Sequence, residues 1–123
     1  MKTKLKDFLN KENIKVEGCV FCDKEKIKSD VKEIDNCYIF EPLDPVTKGH
    51  LLVVNKSHTK DFTDDSQIFS ETCRVASELA NEIGGDFNLI TSKGRNATQT
   101  IFHCHIHLIP REEDDELKLP WSE

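Results

Sequence analysis

With 123 residues and a formal net charge of -6 at pH 7, the chain is expected to form one domain whose modest core would gain from a metal ion or a second subunit. The acidic balance argues against a surface that coats nucleic acid, because phosphate backbones favour clustered Lys and Arg. No apolar stretch is long enough to span a membrane, and the basic start lacks the apolar segment of a secretory signal. We therefore expect a soluble, cytoplasmic protein with no membrane partner.

Apolar periodicity predicts the secondary structure in chain order. Residues 4–13 favour a short, charged helix, and the charged residues that follow the first cysteines favour a loop or an edge hairpin. The clearest elements are one helix at 66–83 and four strands, at 38–41, 49–55, 87–91 and 101–109. Gly84 and Gly85 are the stop signal of that helix. This order predicts an α+β domain, an antiparallel β-sheet with a helix packed on one face.

The cysteines fall into two groups. An odd total of five does not complete a disulfide framework and favours a reducing compartment. Cys37, Cys73 and Cys104 lie in apolar patterns and are interpreted as small buried side chains. Cys19 and Cys22 form a Cys-x-x-Cys pair, which is typical of a zinc half-site or a redox centre. No apolar helix follows the pair, so zinc is preferred, and imidazoles can supply the two missing ligands.

Three histidines, His103, His105 and His107, occupy alternate positions near the end of the chain. On a strand they would share one face, while the intervening Phe102 and Cys104 would share the other. One metal ion bound by all three would be strained, because the outer Cα atoms are about 13 Å apart. The pattern therefore favours a division of labour, with a central nucleophile or acid–base group and neighbours that orient it.

A loop of residues 92–100 precedes these histidines. It holds two cations and no acid in a chain that is acidic as a whole. Its hydroxyl and amide side chains, its backbone N–H groups and Gly94 suit the oxygens of a phosphate. A simple hairpin turn is the alternative, and the adjacent histidines favour phosphate binding.

Three segments now carry a family resemblance. In chain order, these are the Cys-x-x-Cys pair, the segment at 45–58 and the run at 99–110. Together they resemble the histidine triad (HIT) family of nucleotide hydrolases and transferases, in its zinc-containing, Hint-like branch. The resemblance covers residues from about 19 to 121. It implies a HIT-like fold for residues 18–123, with 1–17 as an N-terminal extension.

The resemblance also implies roles for individual residues. His58 and His103 would complete a structural zinc site with Cys19 and Cys22. This assignment leaves His105 as the nucleophile, with His107 and His50 as the other catalytic residues. The nucleotide phosphate would be bound by Ser92, Gly94, Gln99, Thr100 and His107.

Three positions depart from the family pattern. Ser92 stands where many relatives have Asn, Thr98 where Gly is usual, and Pro42 where an Asp often meets the ribose. These departures weaken an inference about the nucleoside more than one about phosphorus chemistry.

The function expected from the resemblance is cleavage at the α-phosphate of a nucleoside phosphoramidate or a dinucleoside polyphosphate, through a nucleotidyl-histidine intermediate and without a catalytic metal. A nucleotide-binding or signalling module with little turnover is the alternative. A third reading, a metal-dependent hydrolase with His105 and His107 as ligands, lacks an obvious carboxylate partner.

The last expectations concern the C-terminal residues and the assembly of the protein. The acidic run at 112–116 is interpreted as solvated, and the apolar stretch at 117–121 is expected to cover a surface. The need to protect sheet edges favours a homodimer. The resemblance implies contacts through residues 66–83 and 86–92, with Trp121 near the partner's site.

Overall fold

The computed structural model describes residues 13–122, and its main feature is a five-stranded antiparallel sheet in the order β1-β2-β3-β5-β4. The strands and the helix are β1 Lys32–Ile34, β2 Cys37–Phe40, β3 Leu51–Asn55, α1 Ser66–Ile83, β4 Asp86–Ile90 and β5 His105–Arg111. Short 3-10 helices span Lys24–Lys26 and Arg95–Ala97. The predicted helix at 4–13 lies outside the described residues, apart from Asn13, which is in a loop. Within residues 13–122, no helix combines the length and apolarity needed to span a bilayer.

Alternating side chains give the sheet two buried faces. On one face Val53 of β3 lies opposite Ile106 of β5, and both are fully buried. Val75 and Ala76 of α1 pack against this face, so the main core lies between the helix and the sheet. The other face carries a second apolar cluster, formed by Phe21, Tyr38, Phe40, Leu52 and Val54. The predicted α+β architecture is confirmed.

The helix has the predicted bounds because its sequence specifies both ends. The Asp65 carboxylate accepts hydrogen bonds from the backbone N–H groups of Gln67 and Ile68, which would otherwise lack partners. Beyond Ile83, Gly84 has a φ of +78°, which glycine adopts without steric strain.

The last strand begins four residues later than predicted, at His105 rather than at residue 101. The cause is a non-local hydrogen bond, since the Cys104 N–H donates to the Thr59 carbonyl at 2.7 Å. Cys104 is buried as expected, whereas Phe102 lies beside the cations Lys60 and Arg95 instead of joining the core. His103 therefore precedes the strand that carries the other two histidines.

Four residues of the acidic run at 112–116 are exposed, as interpreted from the sequence, and Asp115 is the exception. The Asp115 carboxylate accepts two hydrogen bonds from the Arg111 guanidinium, at 2.8 and 3.1 Å. The backbone N–H groups of Glu112 and Leu117 donate to the same carboxylate. The Arg111 side chain and these N–H groups hold the pKa of Asp115 far below its usual range. This network fastens the C-terminal segment to β5.

Candidate active site and metal centre

Two cysteines and two histidines converge beside the second face of the sheet. The ligand atoms of Cys19, Cys22, His58 and His103 all lie within 4.8 Å of one another. Nδ1 of His58 is 3.3 Å from the Cys22 Sγ, and Nδ1 of His103 is 3.4 Å from the Cys19 Sγ. Bonds of about 2.3 Å to sulfur and about 2.0–2.1 Å to nitrogen give a tetrahedral S–N edge of about 3.6 Å. The donor set and its spacing therefore fit zinc.

The orientation of His103 supports a ligand role. Its Nε2–H donates to the Asn55 carbonyl at 2.8 Å, which leaves the lone pair of Nδ1 directed at the thiols. Burial lowers the pKa of His103 to about 4, so the ring is neutral at pH 7 and able to bind a metal. Asn55 is itself buried, and its amide is fixed by hydrogen bonds to Glu71 and Thr72. Sequence reasoning did not identify this supporting role of Asn55.

Two further histidines stand in a hydrogen-bonded chain at the edge of the same face. The Val46 N–H donates to Nδ1 of His50 at 3.1 Å, so the proton of neutral His50 is on Nε2. That Nε2 is 2.9 Å from Nδ1 of His107, which must accept. Neutral His107 consequently carries its own proton on Nε2. A backbone amide in the loop before β3 thus sets the tautomers of both rings, a contribution that the sequence pattern did not reveal.

His105 has the opposite arrangement. Its Nδ1–H donates to the carbonyl of His103 at 2.8 Å, so Nε2 carries the lone pair. Burial lowers the pKa of both His105 and His107, the latter to about 4, which keeps both rings neutral at pH 7. The two ring centroids are 5.2 Å apart. The pair offers one nucleophilic nitrogen beside one N–H donor, a combination suited to attack on a phosphorus whose oxygens accept hydrogen bonds.

Phe21 links the two groups of histidines. It lies inside the Cys-x-x-Cys segment, and its ring makes edge contacts with His103 and His105 at centroid distances of 6.1 and 5.4 Å. The ring also packs against Phe40 of β2. The position of Phe21 between the two cysteines was the available signal, although its contact with His105 is set by tertiary packing.

The loop before the histidines is organised by Gln99. The Gly94 N–H donates to the Gln99 side-chain oxygen at 2.8 Å, and the Gln99 side-chain nitrogen donates to the carbonyls of Lys60 and Ile101. In this conformation the amide of Gln99 and the N–H of Gly94 hold the loop together instead of facing a phosphate. Ser92 is half-buried and Thr100 is exposed.

Thr98 shows why glycine is usual at its position in the resembling family. Its φ is +71°, in the left-handed region, which costs a residue with a Cβ roughly 1–2 kcal/mol. The loop keeps the conformation because three hydrogen bonds support it. The Thr98 N–H donates to the Arg95 carbonyl, the Gln99 N–H donates to the Gly94 carbonyl, and the Gln99 side-chain oxygen accepts from the Gly94 N–H.

The neutral state of His107 predicts a pH effect on stability. Its folded pKa of about 4 lies below the unfolded value of about 6.5, so between these values the unfolded chain binds the proton more readily. The contribution of neutral His107 to the free energy of unfolding should be greatest above pH 6.5 and should decrease as the pH drops toward 4. Chemical denaturation of His107→Gln should show a shallower loss than the parent protein across this range. Parallel curves for the two proteins would contradict the assignment.

The sequence of this chain is similar to those of known proteins. Residues 23–114 match the HIT domain. Adenosine 5'-monophosphoramidase HNT1 of Saccharomyces cerevisiae is 31% identical over 112 residues, which cover 85% of this chain and 70% of the relative. Adenylylsulfatase HINT3 of Arabidopsis thaliana is 35% identical over 106 residues, which cover 79% of this chain and 54% of the relative.

Solved structures agree in both fold and family. A Zn-bound histidine triad family protein from Mycobacterium smegmatis superposes with a TM-score of 0.73 at 32% sequence identity, and the match covers 82% of this chain and 80% of that protein. The HIT domain match extends over most of the chain and includes the Gly-His segment, the helix and the histidine strand. The chain belongs to the HIT domain family.

Proposed function

We propose that this protein is a nucleotide hydrolase that acts at the α-phosphate through a nucleotidyl intermediate on His105. The observation that carries the proposal is the pairing of tautomers. Nε2 of His105 has a free lone pair because Nδ1–H is engaged by the His103 carbonyl, and the neighbouring His107 carries its proton on Nε2. A site that only bound nucleotides would not need an aligned nucleophile.

The chemistry proceeds in two displacements. Nε2 of His105 attacks the α-phosphorus, a P–N bond forms, and the bond from phosphorus to the leaving group breaks as the leaving atom takes a proton from solvent. Water then attacks phosphorus and gives one proton back to solvent, the bond to His105 breaks, and a nucleoside monophosphate is released with a neutral imidazole. This division replaces one difficult displacement by two easier ones. The N–H of His107 positions a phosphoryl oxygen or the leaving atom, and His50 holds His107 in the required tautomer.

The named relatives support hydrolysis at a nucleotide phosphate. One is a monophosphoramidase and one an adenylylsulfatase, so related chains release different leaving groups. For this chain, we propose a phosphoramidate or a dinucleoside polyphosphate as substrate. Phosphate binding by Ser92 and Thr100, with Gln99 and Gly94 as organisers of their loop, belongs to the same proposal.

Zinc is proposed as a structural group held by Cys19, Cys22, His58 and His103. When bound, it would cross-link the cysteine segment to His103, just before β5. His103 serves the reaction through its carbonyl, which fixes the Nδ1–H of His105. No step of the reaction uses the metal.

Turnover of an aminoacyl-nucleotide phosphoramidate, with and without a chelator, tests the proposed function. We expect hydrolysis whose rate per folded molecule survives chelation, with the folded fraction measured by circular dichroism. A binding module would give no turnover. A metal-dependent hydrolase would lose activity at once while still folded.

A homodimer completes the proposal, and the C-terminal segment provides its test. Trp121 is 77% exposed, which is unusual for a large aromatic side chain. Removing residues 119–123 spares the hydrogen bond from Arg111 to the Leu117 carbonyl. We expect the shortened chain to stay folded and to change in substrate preference or rate. A monomer mass by light scattering at tens of micromolar, with unchanged kinetics after truncation, would contradict the dimer.

A further inference from the structure

A cavity opens at the loop that Gln99 organises. Its volume is about 670 Å³, within the range of roughly 300–1,000 Å³ that is usual for sites of small ligands. The lining includes Lys60, Asp61, Lys93, Arg95, Gln99 and Phe102. Among the described residues, no histidine lines it.

The cavity concentrates positive charge in an acidic protein. Lys60, Lys93 and Arg95 line it, and none of them forms an ion pair with a carboxylate of residues 13–122. The only acid in the lining is Asp61, whose carboxylate already accepts hydrogen bonds from the N–H and hydroxyl of Thr63, at 2.8 and 2.7 Å. The lining therefore has a net charge of +2 in a chain whose net charge is -6.

The three cations are held by their surroundings. The Lys60 ammonium and the Arg95 guanidinium lie 5.8 and 5.7 Å from the centroid of the Phe102 ring, within cation–π distance. The Lys93 ammonium donates to the Thr63 hydroxyl at 2.9 Å. These contacts place the charges without neutralising them, and each cation keeps free N–H donors.

The backbone that carries the cations is cross-linked. The side-chain nitrogen of Gln99 donates to the Lys60 carbonyl at 2.8 Å, and the side-chain oxygen accepts from the Gly94 N–H. Gln99 thereby joins the segment that carries Lys60 to the loop that carries Lys93 and Arg95. Because these two segments are far apart in sequence, the charge cluster is a product of the fold.

We propose that this cavity binds a compact polyanion of the pyrophosphate type. A guanidinium binds phosphate oxygens in pairs, and two ammonium groups add strong donors for the remaining oxygens. The net positive lining disfavours a metal cation and favours an anionic ligand over an uncharged one. The site uses none of the histidines, and it shares Gly94 and Gln99 with the loop of the proposed nucleotide site.

Calorimetric titration with pyrophosphate tests the assignment. Replacing Lys60, Lys93 and Arg95 together with Gln should weaken binding by about tenfold or more, since each replacement removes charge-assisted hydrogen bonds. A matched variant with Lys26, Lys28 and Lys32 replaced by Gln lowers the net charge equally outside the cavity, and it should stay within about twofold of the parent protein. The single replacement Arg95→Gln should give an intermediate loss.

His107→Gln separates this cavity from the histidine site, and it should retain pyrophosphate affinity. Equal affinity in the parent and the cavity variant, equal losses in the two triple variants, or a loss confined to His107→Gln would overturn the proposal.

The source of the polyanion is distinguished by kinetics, and only this second arm rests on the proposed function. If the polyanion is the distal phosphate chain of a substrate, the cavity variant raises the KM for a dinucleoside polyphosphate and leaves that for a phosphoramidate unchanged. If it is a free anion, both KM values stay unchanged while pyrophosphate binding is lost. Either result supports the cavity once binding is established.

Discussion

Replacing His105 with Ala should abolish turnover and leave nucleotide affinity within about tenfold, roughly 1.4 kcal/mol. The imidazole forms a bond to phosphorus only along the reaction path, so its loss affects the transition state far more than ground-state binding. His107 and the loop residues remain to bind the phosphate. The measurements are the rate of phosphoramidate hydrolysis and the Kd of the nucleoside monophosphate by calorimetry.

His105→Asn provides the matched control for packing. The Asn side chain carries an N–H that can donate to the His103 carbonyl, as the Nδ1–H of His105 does, but it has no nucleophilic nitrogen. The Asn variant should therefore fold normally and be inactive. Turnover near that of the parent protein in either variant would exclude the covalent mechanism.

Removal of the zinc ligands should give the largest effect on stability. We expect about one zinc per chain in protein purified without chelators, as four ligands around one ion require. Replacing Cys19 and Cys22 with Ser should lower the Tm much more than the rate per folded molecule, because the metal site stabilises the fold and the reaction proceeds at His105.

Cys73→Ser is the control for a thiol outside the metal cluster. Cys73 lies on α1, is half-buried and packs against the main core, so its replacement should change Tm modestly and leave the zinc content unchanged. A folded, active preparation with no metal, made without chelators, would exclude the site.

Local signals explain how far the fold could be predicted. The end of α1 was predicted from Gly84 and Gly85 and the rest of the helix from its apolar spacing, and these signals act within a few residues. The alternation of histidines with apolar residues near the end of the chain predicted the two faces of β5. The start of β5 could not be predicted in this way, because the Cys104 N–H bonds to Thr59, a residue 45 positions earlier.

The candidate site also depends partly on local sequence signals and partly on tertiary contacts. Residue types and spacing nominated the Cys-x-x-Cys pair and the three alternating histidines, and the family resemblance implied His58 and His103 as the other metal ligands and His50 as a catalytic residue. They did not give the tautomers, which depend on the Val46 N–H and on the carbonyls of Asn55 and His103. The cationic cavity was also hidden, because Lys60 and Phe102 reach the loop cations only through the tertiary fold.

The covalent intermediate is tested most directly by mass spectrometry of acid-quenched reactions with a phosphoramidate substrate. The account predicts a population heavier by one nucleoside monophosphoryl group, which peptide mapping places on His105 and which is missing from His105→Asn. A reaction that turns over rapidly, is quenched within a single turnover and shows no adduct, or shows the adduct on another residue, would contradict it.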